Sequence, residues 1–188
     1  MLKRIISAFI NRVLFIINVD NKALQGKHIS VSRGSYIDSR TRIGDYTSIG
    51  RNCEITATKI GRYCSIANKV QIGAGEHSLD TVSTSGLLPQ KIEHTELIIS
   101  NDVWIGASCI IRRGVKIGNG AVIGANSFVN KDVPDYAVVA GSPAKIIKYR
   151  FSHKVISELL NTKWWELEKS EIIEIYPSLE KIINNNNV

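Results

Sequence analysis

The sequence predicts an all-β solenoid in which short parallel strands wind around a three-sided coil, and three observations predict it. Aliphatic residues recur every six positions at Val31, Ile37, Ile43, Ile49 and Ile55, resume after a five-residue step at Ile60, Ile66 and Ile72, and return at Ile99, Ile105, Ile111, Ile117, Ile123 and Val129. A small or β-branched residue lies two places before most of these, as at Ser35, Thr41, Thr47, Cys53, Cys64, Val70, Val103, Cys109, Val115, Ala121 and Ser127, with Val133 extending the set. Positions two apart on a strand share a face, so both sets point inward. Glycine follows the aliphatic residue at Gly44, Gly50, Gly61, Gly73, Gly106, Gly118 and Gly124, with Asn52, Asn119 and Asn126 nearby, residue types that tolerate tight bends and positive φ. Six residues per side and three sides per turn make a triangular prism whose stacked coils bury what a single hexad cannot.

Each element follows in order. Residues 1–27 form a lead-in, in which Ile6, Phe9, Ile10, Val13, Leu14 and Ile17 have helical spacing. Two basic residues open this stretch, but Asn11 and Arg12 interrupt the apolar run and no small-residue cleavage site follows, which argues against a signal peptide or a spanning helix. The expected element is an amphipathic helix packed on the domain, the alternative being peripheral contact with the inner membrane. Residues 28–148 form the coil, broken by a loop at residues 76–98 that carries neither the six-residue period nor a strong helix pattern. A long insertion in a regular solenoid is a place to look for function. Over residues 149–188 the period is gone; Phe151, Val155, Leu159 and Leu160 fall on one face of a helix, Trp164 and Trp165 serve packing, and the NNNNV end frays.

The totals narrow the function classes. At 188 residues, with 44% apolar and 22% charged residues, the chain has the composition of one globular domain. A net charge of +7 admits polyanionic partners, but the basic residues are scattered and no nucleic-acid-binding pattern accompanies them, so a polyanionic small molecule is the expected partner and no nucleic acid is. Cys53, Cys64 and Cys109 form no CxxC pair and fall inside the coil, which makes them core residues and predicts a reducing, cytoplasmic setting.

The segments IGDYTSIGRNCEI and IGNGAVIGANSFV resemble the hexapeptide-repeat acyltransferases. That resemblance, carried by residues 30–170, implies a left-handed parallel β-helix, the hand being open on the period alone. It also implies acetyl-CoA as co-substrate, a homotrimer and sites between subunits. His77, in GAGEHSLDT, stands where the resembling enzymes carry their catalytic histidine, and imidazole titrates near working pH as a general base should. Asp80 or Glu76 would orient its ring; His94, in the same loop, is the rival base, an acceptor-pocket residue or simply exposed.

NDVWIGASCII, IGANSFVNKDVP and AVVAGSPAKIIK resemble the groove where such enzymes hold coenzyme A. Carried over by position, Trp104 and Gly106 would wall that groove, Ala107 and Ala125 would offer backbone groups to the pantetheine amides, and Asn130, Lys131, Lys145 and Lys148 would lie near the nucleotide and phosphates. Trp104 has a second reading as a cover over the core. The tail RFSHKVISELLNTKWWELE resembles the xenobiotic branch, but Asp80 is followed by Thr81 where that branch has an Asp-Trp pair, which tilts the expected acceptor toward a saccharide hydroxyl. An antibiotic hydroxyl or an amino-sugar amine is the alternative. Metal-dependent carbonic anhydrases of related fold need three gathered histidines; with four in the chain, two of them outside coil and loop, no metal is expected. The non-enzymatic alternative is a β-helix scaffold.

Overall fold

A computed structural model describes residues 18–92 and 95–184. The expected N-terminal helix, at residues 1–17, and His94 lie outside the described residues, as does the end of the tail.

The strands stack into three faces, parallel throughout except for the closing antiparallel hairpin of the largest. One face has six strands, Asn18–Val19, Tyr36–Ile37, Glu54–Ile55, Gln71–Ile72, Ile110–Ile111 and Phe128–Val129. A four-stranded face holds Arg42–Ile43, Thr58–Ile60, Leu97–Ile99 and Lys116–Ile117. The seven-stranded face runs from Ser30–Val31 through Ser48–Ile49, Ser65–Ile66, Trp104–Ile105 and Val122–Ile123 to Ala137–Gly141 and Ala144–Tyr149. This is the predicted solenoid, a left-handed β-helix of hexapeptide repeats. It starts earlier than residue 28, since Val19 already sits in register with Ile37.

Most strands are two residues long because the prism side is short: one side chain points out and the next, the aliphatic residue, points in. The inward sets form one column. Ile37, Ile55, Ile72, Ile99, Ile105, Ile111, Ile117 and Ile123 are at most 1% exposed, and the small residues between them are buried as well. Each buried isoleucine contributes about 1.5–3 kcal/mol. Thr58 and Leu97 belong to the column too, which the hexad count missed: Thr58 falls at the five-residue step and Leu97 at the re-entry from the loop.

The glycines act differently from expectation. Of the seven that follow an aliphatic residue, only Gly73 has positive φ. The left-handed positions fall on corner residues such as Tyr46, Asn52, Tyr63, Ser108 and Asn126. The other glycines answer to close backbone approach between coils: a Cβ on Gly106 would lie 2.6 Å from the Ala125 nitrogen.

Hydrogen bonds run up the corners. Asn101 Oδ1 accepts from the Arg62 N–H at 2.8 Å, Asn119 Oδ1 from the Asn101 N–H at 3.1 Å, and Asp135 Oδ1 from the Asn119 N–H at 2.6 Å. At another corner the Asp38 carboxylate accepts from the Thr41 and Ala57 N–H groups, the Thr41 hydroxyl and Arg40 Nε. Burial pushes the Asp38 carboxyl up, but these bonds, Ala57 first, outweigh it and hold the group below the usual carboxylate value. A folded-state pKa below the unfolded one means stabilisation that is complete above the unfolded pKa and lost as pH falls through the folded one. Asp38→Asn is therefore expected to destabilise the protein near neutrality and to narrow its gap from the wild type in acid denaturation below about pH 4.

Cys53, Cys64 and Cys109 are free thiols at most 2% exposed. Desolvation raises all three, Cys64 to about 12. Native protein should react with none of its three thiols in a disulfide-exchange assay at pH 8 over minutes, and with all three in denaturant.

The C-terminal segment is two helices rather than the one expected. Helix α1, His153–Thr162, is capped by the Ser152 side chain, which accepts from the Val155 N–H, and ends where Lys163 adopts left-handed geometry. A 3-10 turn, Trp164–Glu166, leads to helix α2, Lys169–Asn184. Lys163 takes a conformation that glycine usually marks, so the break carries no glycine signal. The connection docks on the coil: Arg62 donates to the Glu166 carbonyl at 2.7 Å and the Tyr63 hydroxyl to the Leu167 carbonyl at 2.9 Å. Trp165 is buried and Trp164 lies tilted on Tyr63, both packing residues as expected.

Candidate active site

The loop leaves the six-stranded face after Gln71–Ile72 and returns at Leu97–Ile99, which pairs directly with Thr58–Ile60. No register is lost, so the insertion hangs from one corner of an intact prism. Two arginines of the next coil fasten its start. Arg113 Nη2 donates to the Gly73 carbonyl at 2.6 Å, and Arg112 grips the Glu76 carboxylate through Nε at 2.7 Å and Nη2 at 3.3 Å. Within the loop, Gln90 Oε1 accepts from the Ser78 N–H at 2.9 Å while its amide donates to the Ser83 and Ser85 carbonyls. The chain doubles back over the histidine: a Cβ on Gly86 would lie 3.5 Å from His77 Cε1.

His77 lines an open cleft of about 730 Å³ between this loop and the coil corner. Glu76, Asp80, Asn130 and Lys131, all singled out in the sequence, line the same cleft. So do Lys91, Arg112 and Arg113, which sequence reasoning missed as site residues; the Arg-Arg pair was visible only as two charges. Among the described residues the His77 ring makes no hydrogen bond. Glu76 is occupied by Arg112, while Asp80 has no ion pair among the described residues. Among the described residues no group of three His, Cys, Asp or Glu side chains gathers as a metal site.

The remaining predicted residues sit elsewhere. Ala107 and Ala125 occupy successive coils of a second corner, where the Asn126 N–H donates to the Ala107 carbonyl at 2.9 Å. Trp104 projects from the seven-stranded face, 55% exposed, which does not fit a cover over the core. It stands in one row with Val122, Val138 and Lys148, and Lys145 is exposed further along the same hairpin. Within one chain, then, Trp104, Gly106, Ala107, Ala125, Lys145 and Lys148 do not line the His77 cleft, whereas Asn130 and Lys131 do.

Two family models match, bacterial transferase hexapeptide (six repeats) over residues 97–131 and hexapeptide repeat of succinyl-transferase over residues 40–74. The chain is 37% identical to a probable macrolide acetyltransferase of Lysinibacillus sphaericus over 74% of this chain and 90% of that one. It belongs to the hexapeptide-repeat acetyltransferases. Among relatives of that family it is 39% identical to a chloramphenicol acetyltransferase of Klebsiella aerogenes over 64% of each chain. It is 36% identical to a putative lipopolysaccharide biosynthesis O-acetyl transferase of Escherichia coli over 70% of this chain and 64% of that protein. Thus the chain spans less than two thirds of the length of several curated relatives. A solved hexapeptide-repeat acetyltransferase from Vibrio cholerae superposes with a TM-score of 0.61 at 32% identity, over 68% of this chain and 73% of that one.

Proposed function

We propose that this chain transfers an acetyl group from acetyl-CoA to a saccharide hydroxyl, with His77 as general base. The observation that carries this reading is the position of His77 at the root of the inserted loop, in a cleft walled by Lys91, Arg112, Arg113, Asn130 and Lys131. Such a wall suits a ligand rich in hydroxyl and anionic groups better than an apolar drug. In the reaction His77 removes the hydroxyl proton as the acceptor oxygen attacks the thioester carbonyl. The new C–O bond forms, the C–S bond breaks, and the departing thiolate takes the proton back from the imidazolium. Coil N–H groups would hold the developing oxyanion. Arg112 holds Glu76, so of the two carboxylates singled out in the sequence Asp80 is the one proposed to orient the ring.

The separation of the two residue groups in a single chain supports a homotrimer. Trp104, Ala107, Ala125, Lys145 and Lys148 of one copy would complete the groove against the His77 loop of the next. The loop's Leu79, Val82 and Leu87 are 86–109% exposed in the single chain, apolar surface that a neighbouring copy would cover.

An antibiotic acceptor is the second reading, favoured by the 39% identity to a chloramphenicol acetyltransferase. Following CoA thiol release with acetyl-CoA and a panel of sugars, nucleotide sugars and chloramphenicol separates the two. Release dependent on a saccharide is expected; turnover of chloramphenicol alone would replace the saccharide reading.

A further inference from the structure

A second cavity, of about 240 Å³, lies between the last coil corner and the helices α1 and α2, and shares no residue with the His77 cleft. Its lining is mainly apolar, from Phe151, Leu159, Trp164, Ile172 and Leu179, with Glu180 also on it but not bonded to the Tyr136 hydroxyl. Its floor is polar. Tyr136 is 1% exposed, and its buried hydroxyl oxygen has no hydrogen-bond partner among the described residues. Trp164 lies beside the phenol, but an indole N–H only donates, so whatever it gives the oxygen, the phenol's own proton still lacks an acceptor. Arg150, also at the floor, cannot accept either; its Nη1 is spent on Asp102 Oδ2 at 3.0 Å and the Gly120 carbonyl at 2.8 Å. Burial pushes the Tyr136 phenol up to about 12, so it stays protonated and able to donate.

A buried donor without an acceptor is destabilising, and one that lines a mainly apolar cavity is a feature that a ligand with an acceptor would satisfy. We propose that this cavity binds a small, mainly apolar molecule carrying one hydrogen-bond acceptor, such as a carbonyl, which receives the Tyr136 hydroxyl proton while its body lies against Phe151, Leu159 and Leu179. The site is independent of the acceptor cleft, and its failure would leave the His77 reading untouched.

Acetophenone, a flat ring with one carbonyl, and ethylbenzene, the same shape without an acceptor, are suitable probes. Both are titrated into the 188-residue chain with saturation-transfer NMR as the readout. Wild type is expected to bind acetophenone saturably and about three- to tenfold more tightly than ethylbenzene, the worth of one hydrogen bond. Tyr136→Phe is expected to lose that preference, bind ethylbenzene as wild type does, and melt no lower than wild type, since it removes an unsatisfied hydroxyl. Absence of saturable binding, equal binding of the two probes by wild type, or a preference retained in Tyr136→Phe would overturn the site. So would a variant that melts well below wild type, because the hydroxyl would then already be satisfied.

Discussion

Replacing His77 with alanine is expected to lower kcat for acetyl transfer by about 10²- to 10⁴-fold, the range a positioned general base contributes. The KM for acetyl-CoA should change less than about twofold, because a group that acts on the acceptor proton stabilises the transition state rather than the bound donor. The split matters. A loop-folding defect would raise KM and lower kcat together, since the loop forms one wall of the cleft. Full turnover in the variant would pass the role to another group, with His94 of the same loop as the first to examine.

The second large effect is on stability. Ile111 is fully buried, and its strand stands between those carrying Ile72 and Val129 in the six-stranded face. Ile111→Ala is expected to cost about 2–5 kcal/mol, the transfer term plus the hole left between coils that cannot close independently. Ser65→Ala, on the outward side of a strand, should stay within about 0.5 kcal/mol. Urea denaturation at matched protein concentration measures both, and equal losses at the two positions would contradict an inward column.

The fold was legible because a solenoid writes its core into the chain as a period. Every aliphatic position from Ile37 to Val129 is buried, and so is the small residue two places earlier where one was read. What escaped did so for local reasons. Thr58 and Leu97 sit where the period slips, at a shortened corner and after the loop. Lys163 breaks the C-terminal helix with a left-handed turn that lysine does not advertise. The glycines signalled the right positions for a different cause, since crowding between coils and a positive φ both exclude a side chain.

The candidate site was legible in part as a cluster of residues. The interruption of the period marked the loop and the family resemblance picked His77 within it; Glu76, Asp80, Asn130 and Lys131 line the same cleft. Lys91, Arg112 and Arg113 did not announce themselves, because a lysine in a loop or an arginine at a corner looks like any solvated charge until the fold places it. Trp104, Ala107, Ala125, Lys145 and Lys148 lie apart from His77 in one chain, and a motif does not say which copy of a chain its partner residues come from.

In the proposed reaction the loop presents the His77 imidazole to the thioester of acetyl-CoA. A crystal structure of the 188-residue chain with coenzyme A tests it most directly. The pantetheine sulfur is expected to end beside a His77 side chain, with the cofactor running past Ala107 and Ala125 of a neighbouring copy toward Lys145 and Lys148. A sulfur remote from every His77 in the assembly would contradict the account.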